Sequence, residues 1–316
     1  MTSPPAIVAQ RQRRVRKSEE LRRRLARQLL QSQPGDPLPP IRTLAITFGA
    51  SIGATQIALS QLADEGFVTL DSRPGRGGVL IERDVGRLFE ESERMPLLLA
   101  LSLPSTERIN GLATAIRSSL GAAGVETYLM FIRGSRPRIA ALAQGRCNVA
   151  VMSRLAAESL AADPAFEIVL TLPSGTFVRE HRVFLAPGGP PKGRRWRVGI
   201  DRSSFDFERL TELEFGDSAD YVPLNYLKFV REIESGRIDA GVLDVDDVLM
   251  RIPAGMPNRP LSAGVLETLG EANLSTAFVA RAADVATKAV IESCVDVAAM
   301  VQIQEDVIAG RRPPEY

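Results

Sequence analysis

Ala143-Gln-Gly-Arg-Cys-Asn-Val-Ala-Val-Met152 returns later in the chain as Glu234-Ser-Gly-Arg-Ile-Asp-Ala-Gly-Val-Leu243. In both stretches a helical pattern runs into Gly-Arg, an Asn or Asp stands three residues after the glycine, and a short apolar run follows. Glycine supplies the left-handed residue that closes a helix, and a short apolar run bounded by turn residues reads as a buried strand. One such junction occurs in any α/β protein. Two in one chain imply two half-domains, hence a bilobed α/β module with a cleft between its lobes.

The flanking sequence extends the pattern. Strand candidates 97–103, 125–132 and 148–152 alternate with helical stretches 109–123 and 138–144. A second series places strands at 197–200, 221–224 and 240–243, with helices at 205–213 and 227–235. Alternation of this kind implies a parallel sheet with helices on its faces. Segments 166–172 and 182–186 carry the outward crossing between lobes, 187–191 forms a surface turn, 273–280 is the returning strand, and helices within 283–309 pack on the first lobe. Lobe I thus takes about 97–180 and 270–316, and lobe II about 181–269.

A different pattern precedes this module. Residues 38–51, Leu-Pro-Pro-Ile-Arg-Thr-Leu-Ala-Ile-Thr-Phe-Gly-Ala-Ser, carry Ile41, Leu44, Ala45 and Phe48 at helical spacing and stop at Gly49. Ser51 is the expected N-cap of a second helix that runs to Glu65. Two short helices about a glycine turn read as a helix-turn-helix, whose second helix enters the major groove of DNA. The β-rich runs 67–70 and 78–81 flank Arg73-Pro-Gly-Arg-Gly77, a tight loop that presents Arg73 and Arg76 to a phosphate or a minor groove. Leu21, Leu25 and Leu29 suggest a first helix ahead of the pair. Residues 1–84 therefore read as an Arg-rich arm and DNA-binding domain, and 85–96 as a linker with a short helix.

Residues 17–82 resemble the winged-helix domain of the GntR superfamily at Leu38-Pro39, Leu44-Ala45, Glu65-Gly66 and Pro74-Gly-Arg-Gly77. The resemblance implies double-stranded DNA as partner, a homodimer, and Arg42, Ser51, Thr55, Gln56, Arg73 and Arg76 as contacts. Family members carry Ser-Arg-Thr-Thr-Val-Arg at the start of the recognition helix, where this chain has Ser51-Ile-Gly-Ala-Thr-Gln56, so the family's arginine contacts do not carry over. Thr55 and Gln56 retain base-bonding groups, and Gln suits adenine. The duplicated helix-Gly-x-x-Asn/Asp-strand phrase is similar to type 2 periplasmic-binding-protein folds, including effector domains of LysR-type regulators. A GntR-like reader fused to such a module resembles the YhfZ-like group of regulators.

Charge divides along the same line. The chain has a net charge of +1, yet residues 1–85 hold 13 basic against 8 acidic side chains, so the remainder is acidic. Nine Arg or Lys against Glu19 and Glu20 in residues 11–27 predict salt-dependent binding by counterion release. Cys147 and Cys294 lack metal or disulfide spacing, which fits a reduced cytoplasmic protein without metal. No apolar run approaches the ~20 residues needed to span a bilayer, and the Arg-rich N-terminus lacks the apolar stretch of a secretory signal.

A cleft between lobes is a natural ligand site, with strand ends and helix N-termini facing it. Ser105, Thr106, Ser203 and Ser204 at helix starts suit a carboxylate or phosphate. Arg133 and Arg154 offer a bidentate clamp, while Ser135, Ser153 and Arg202 lie in neighbouring loops and Asp244 suits an amine or hydroxyl. The expected effector is a small polar or anionic molecule. The single histidine, His181, reads as a surface or hinge residue, and no nucleotide fingerprint, nucleophile elbow or metal cluster points to catalysis or a cofactor. These features predict a ligand-responsive transcriptional regulator, with a nonspecific nucleoid-type DNA binder or an enzyme on the bilobed fold as alternatives.

Overall fold

The computed structural model describes residues 5–73, 77–188, 193–247 and 251–316. Two compact units are present. The first draws on Met1–Leu97, Leu120–Thr127 and Val285–Cys294, the second on Leu98–Ser119, Tyr128–Asp284 and Val295–Tyr316.

In the first unit, α1 (Pro5–Gln31) is followed by α2 (Ile41–Phe48), α3 (Ile52–Asp64), the strands β1 (Val68–Arg73) and β2 (Gly77–Arg83), and α4 (Val85–Glu93). Gly49 ends α2 at φ 64°, where its N–H reaches Ile46 O at 3.1 Å. Two residues on, the Ser51 hydroxyl accepts the Ala54 N–H at 3.2 Å and opens α3. This turn bends the two helices by 107°. β1 and β2 pair antiparallel, and Pro37 bridges Val79 to lengthen the pairing by one segment. Leu25, Leu29 and Leu30 of α1 are buried, as are Leu44, Leu62, Leu80 and Leu88. The expected linker is a structural part of this unit. Asp84 caps α4 by accepting the Arg87 N–H at 3.0 Å, and Leu88 and Phe89 are buried.

The second unit contains two five-stranded mixed sheets. In lobe I the order is β4 (Thr127–Phe131), β3 (Leu97–Leu101), β5 (Val149–Ser153), β12 (Thr276–Arg281), β6 (Phe166–Thr171). In lobe II it is β11 (Asn258–Pro260), β7 (His181–Leu185), β10 (Ala240–Asp244), β8 (Trp196–Ile200), β9 (Ala219–Pro223). The parallel expectation holds for β3 with β5 and for β8 with β9 and β10. It fails for β12, antiparallel to β5 and β6, and for β7, antiparallel to β10 and β11. These two are the strands that carry the chain into lobe II and back. The expected turn at 187–191 lies largely outside the described residues.

Helices α5 (Glu107–Ala122), α6 (Ser135–Ala143), α7 (Arg154–Leu160), α8 (Phe205–Phe215), α9 (Phe229–Glu234), α10 (Ala263–Leu269), α11 (Val285–Cys294) and α12 (Val297–Ile308) complete the chain. The repeated phrase forms the same joint in both lobes. Gly145 and Gly236 sit at φ 68° and 70°. Their N–H groups return to Leu142 O and Ile233 O at 3.0 Å, and the next residues, Arg146 and Arg237, return to Ala141 O and Glu232 O at 2.9 Å. That is the Schellman pattern. Asn148 then takes the Leu98 N–H on its side chain at 3.0 Å while its own N–H donates to Leu98 O. Asp239 makes the same reciprocal pair with Arg197. The polar residue three after the glycine thus fixes the register of each parallel strand.

One face of the lobe II sheet is packed by Val183, Val198, Leu210, Phe215 and Val242, the other by Phe184, Phe229, Ile233 and Leu243. Phe229 lies so close that a Cβ at Gly241 would come within 2.7 Å of its ring. Among the described residues no single helix is long and apolar enough to cross a membrane. Both cysteines are free, and burial pushes each thiol up to about 11.

Candidate functional site

Loops at the ends of β3, β4, β8 and β10 meet around a cavity of about 70 Å³ between the two lobes. Lobe I supplies Ser102, Ser105, Thr106, Arg133 and Arg138, with Ile109 and Phe177; lobe II supplies His181, Ser204, Asp206, Phe207, Tyr226, Asp244 and Asp247. Direct bonds close the cleft around it. Arg133 pairs with the Asp201 carboxylate and donates to Ser203 Oγ at 2.7 Å. Ser105 Oγ donates to Asp247 at 2.9 Å, Ser153 Oγ donates to Asp206 at 2.5 Å, and the Phe205 N–H donates to Ser135 Oγ at 2.9 Å. Gly134, at φ 80°, permits this approach, because a Cβ there would lie 2.5 Å from the Ser203 carbonyl oxygen.

Five of the ten expected ligand residues line the cavity: Ser105, Thr106, Arg133, Ser204 and Asp244. Thr106 spends its hydroxyl accepting the Ile109 N–H at 3.0 Å, whereas Ser204 caps α8 by position only, with no side-chain bond to the helix start. Ser135, Ser153 and Ser203 stand in the lobe-to-lobe contacts just described. Two expected arginines fall elsewhere. Neither lines the cavity: Arg154 pairs with Glu158 one turn along α7 at 2.7 Å, and Arg202 pairs with Glu208 and with Glu212 at 3.6 Å.

Sequence reasoning missed the buried charges. Arg138 is 3% exposed; its Nη1 donates to Ile132 O at 2.8 Å, and among the described residues its Nε has no partner. Burial pulls its guanidinium down to about 10, opposed by nearby Asp206. Burial likewise raises Asp206 to about 6, against the Ser153 hydroxyl bond and the charge of Arg138. Asp244 is raised to about 7, first by burial and further by Asp246 and Asp247, against the Asp246 N–H that bonds it. His181 is buried at the start of β7 and pulled down to about 4, so it is neutral at physiological pH. The Asn273 amide lies 3.1 Å from its Nδ1, and Phe207 meets its ring edge-on at 5.7 Å. Desolvation also raises the Tyr226 hydroxyl. The cavity thus gathers several perturbed ionisable groups, one of them with a buried donor left unbonded among the described residues.

The expected DNA contacts fall on the first unit with mixed outcomes. Arg42, Ser51 and Gln56 are exposed on α2 and at the head of α3, beside exposed Ile52 and Ile57. Thr55 is corrected, since it is fully buried and its hydroxyl donates to Ser51 O at 3.0 Å. Arg73 closes β1 in the backbone, while its side chain and all of Arg76 lie outside the described residues. The basic segment is less free than its composition suggests. Arg22 grips Glu65 through two bonds of 2.7 and 2.5 Å and also meets Glu91 at 3.1 Å. Arg27 pairs with Glu93 at 2.7 Å and Arg24 with Glu20 at 2.9 Å. Arg16 and Lys17 remain exposed, next to a depression floored by Phe48 and Ala54.

Comparison with known proteins places this architecture. Over 293 residues the chain is 29% identical to the uncharacterized protein YhfZ of Escherichia coli K12, covering 92% of this chain and 95% of that one. The crystal structure of YhfZ from Shigella flexneri is similar with a TM-score of 0.61 at 28% identity, over 74% of this chain and 98% of that chain. Fainter likenesses of fold include a periplasmic substrate-binding protein of an ABC transporter from Coxiella burnetii, at 11% identity and a TM-score of 0.44 over 68% of this chain and 98% of that chain. OxyR of Corynebacterium glutamicum gives 12% identity and 0.46 over 93% and 95%. The chain, matched over residues 84–316, belongs to the YhfZ C-terminal domain family.

Proposed function

We propose that this protein is a cytoplasmic, homodimeric transcriptional regulator of GntR-like type, acting by binding and not by turnover. In this reading α2, α3 and the β1–β2 hairpin form a winged helix-turn-helix on duplex DNA, and the bilobed unit senses a small polar ligand. The ligand shifts the population of the DNA-competent dimer through its different affinity for the two states. The observation that carries the reading is the order of elements in the first unit. A Gly49-terminated helix, a Ser51-capped helix with an exposed face and an antiparallel hairpin follow one another in a single compact body. The buried, partly unbonded cavity supports the sensing half.

The test is selection of bound sequences from random duplex DNA at physiological salt with the full-length protein, followed by a metabolite screen for release. An enriched palindrome with half-sites about one helical turn apart is expected. Absence of enrichment refutes the specific regulator and favours a nonspecific DNA binder.

A further inference from the structure

We propose that the inter-lobe cavity takes a compact zwitterion, with a protonated amine lodged against Asp244 and a carboxylate on Arg138 and Ser102. The inference rests on the sensing reading above and narrows it, replacing the broader expectation of a polar or anionic effector.

The charges around the cavity are unequally matched. Arg133 is neutralised by Asp201, and Arg138 faces Asp206. Asp247 holds the Ser105 hydroxyl at 2.9 Å. Asp244 accepts only the Asp246 N–H at 3.0 Å among its described bonds, and no described cation pairs with it. Its antiparallel neighbour on β7 is His181, which is neutral, and Asp246 and Asp247 add like charge from its own loop. Arg108 on α5 reaches it only through space, since its guanidinium bonds the Gly175 carbonyl. A buried carboxylate in this position calls for a cation.

The opposite need stands in the same cavity. Among the described residues Arg138 Nε and Ser102 Oγ are both buried without a hydrogen-bond partner, and each can donate to an oxygen. A lone anion would answer these donors while meeting the charge of Asp244. A lone cation would answer Asp244 and leave Arg138 Nε orphaned. A ligand carrying both charges a few bonds apart satisfies both ends, and a space of about 70 Å³ limits it to a small molecule.

Thermal unfolding of the full-length protein at neutral pH, with each common amino acid beside its decarboxylated amine and its hydroxy-acid counterpart, tests the assignment. At least one amino acid is expected to raise the unfolding midpoint by several degrees while its hydroxy acid does not. Asp244→Asn, which keeps the shape and the acceptor for the Asp246 N–H, is expected to weaken that amino acid by at least about tenfold. Calorimetry in two buffers of different ionisation enthalpy adds an independent readout. Binding to the wild-type protein near pH 7 should release about half a proton as Asp244 ionises, and the variant should release none.

Hydroxy acids that stabilise as well as amino acids overturn the amine assignment and leave the sensor reading standing. Decarboxylated amines that bind as tightly overturn the role of Arg138. No shift from any member refutes the zwitterion class, while release of DNA in the metabolite screen decides sensing separately.

Discussion

Asp244→Asn should make the bilobed unit more stable at and above neutral pH and leave it unchanged in acid. Asp244 is 8% exposed, and its carboxyl is raised from 3.8 to about 7, chiefly by burial. A carboxyl raised on folding contributes stability that is fully present below its unfolded value and lost as the pH climbs through its folded one. A rise of this size costs about 4 kcal/mol once the pH exceeds both values. Asparagine keeps the oxygen that accepts the Asp246 N–H and removes the charge.

Neighbouring groups set the window. Asp206, raised to about 6, has the same sign as Asp244, and its contribution is already falling away below pH 7. His181, lowered to about 4, has the opposite sign: it stabilises above its unfolded value of 6.5 and loses that contribution as the pH falls through 4. Between 4 and 6.5 these groups oppose each other, so the effect of Asp244 is cleanest from neutral pH upward. Trp196, the single tryptophan, stands in β8 and reports this unit alone. Urea unfolding followed by its fluorescence at about pH 8 should shift to a higher midpoint by about 1–2 M in the variant. An equal or lower midpoint, or an advantage that persists unchanged at about pH 4, would refute the account of Asp244 as an uncompensated buried charge.

Further substitutions probe other links. Gly134→Ala places a methyl against the Ser203 carbonyl at a positive φ, and should cost about 1–3 kcal/mol and loosen the closed cleft, read as a larger radius of gyration in solution scattering. Gln304→Ala removes the amide that donates to Arg108 O and Thr176 O at 2.8 Å and should cost about 2–4 kcal/mol in urea unfolding; a neutral result would mean that water replaces the amide. Gln56→Ala should cost about 1–3 kcal/mol of discrimination at one base pair of a selected site without altering the salt slope, and equal loss across all sequences would argue against base readout.

Much of this architecture is legible in the sequence because it rests on periodicity. The Gly-Arg-x-Asn/Asp phrase carries its own capping geometry, and Asn148 and Asp239 occupy matching positions in the two lobes. Strand direction is not encoded that way. Nothing in the apolar run 276–281 tells whether it lies parallel or antiparallel to Val149–Ser153, since both sheets bury the same side chains. Arg138, flanked by Arg136 and Pro137, reads as surface charge; its burial depends on what lobe II brings over it. Asp206 in the first turn of α8 reads as a helix-dipole partner until Ser153 is seen to bond it across the cleft. The arginines of α1 look available for DNA because their acids, Glu65, Glu91 and Glu93, lie far along the chain.

The first unit is not contiguous, so the ribosome delivers it in instalments. Arg83 donates to Ser293 Oγ at 2.7 Å, and Gly86 lies so near the Gly124 carbonyl that a Cβ would come within 2.5 Å. A polypeptide synthesised from its N-terminus displays α1 to α4 long before residues 285–294 emerge. At elongation speeds of about 5–20 residues per second the interval is about 10–40 s. A nascent chain therefore carries α1 to α4 without the last helix of their unit until synthesis is nearly done, and a fragment cut after residue 97 reproduces that unfinished state.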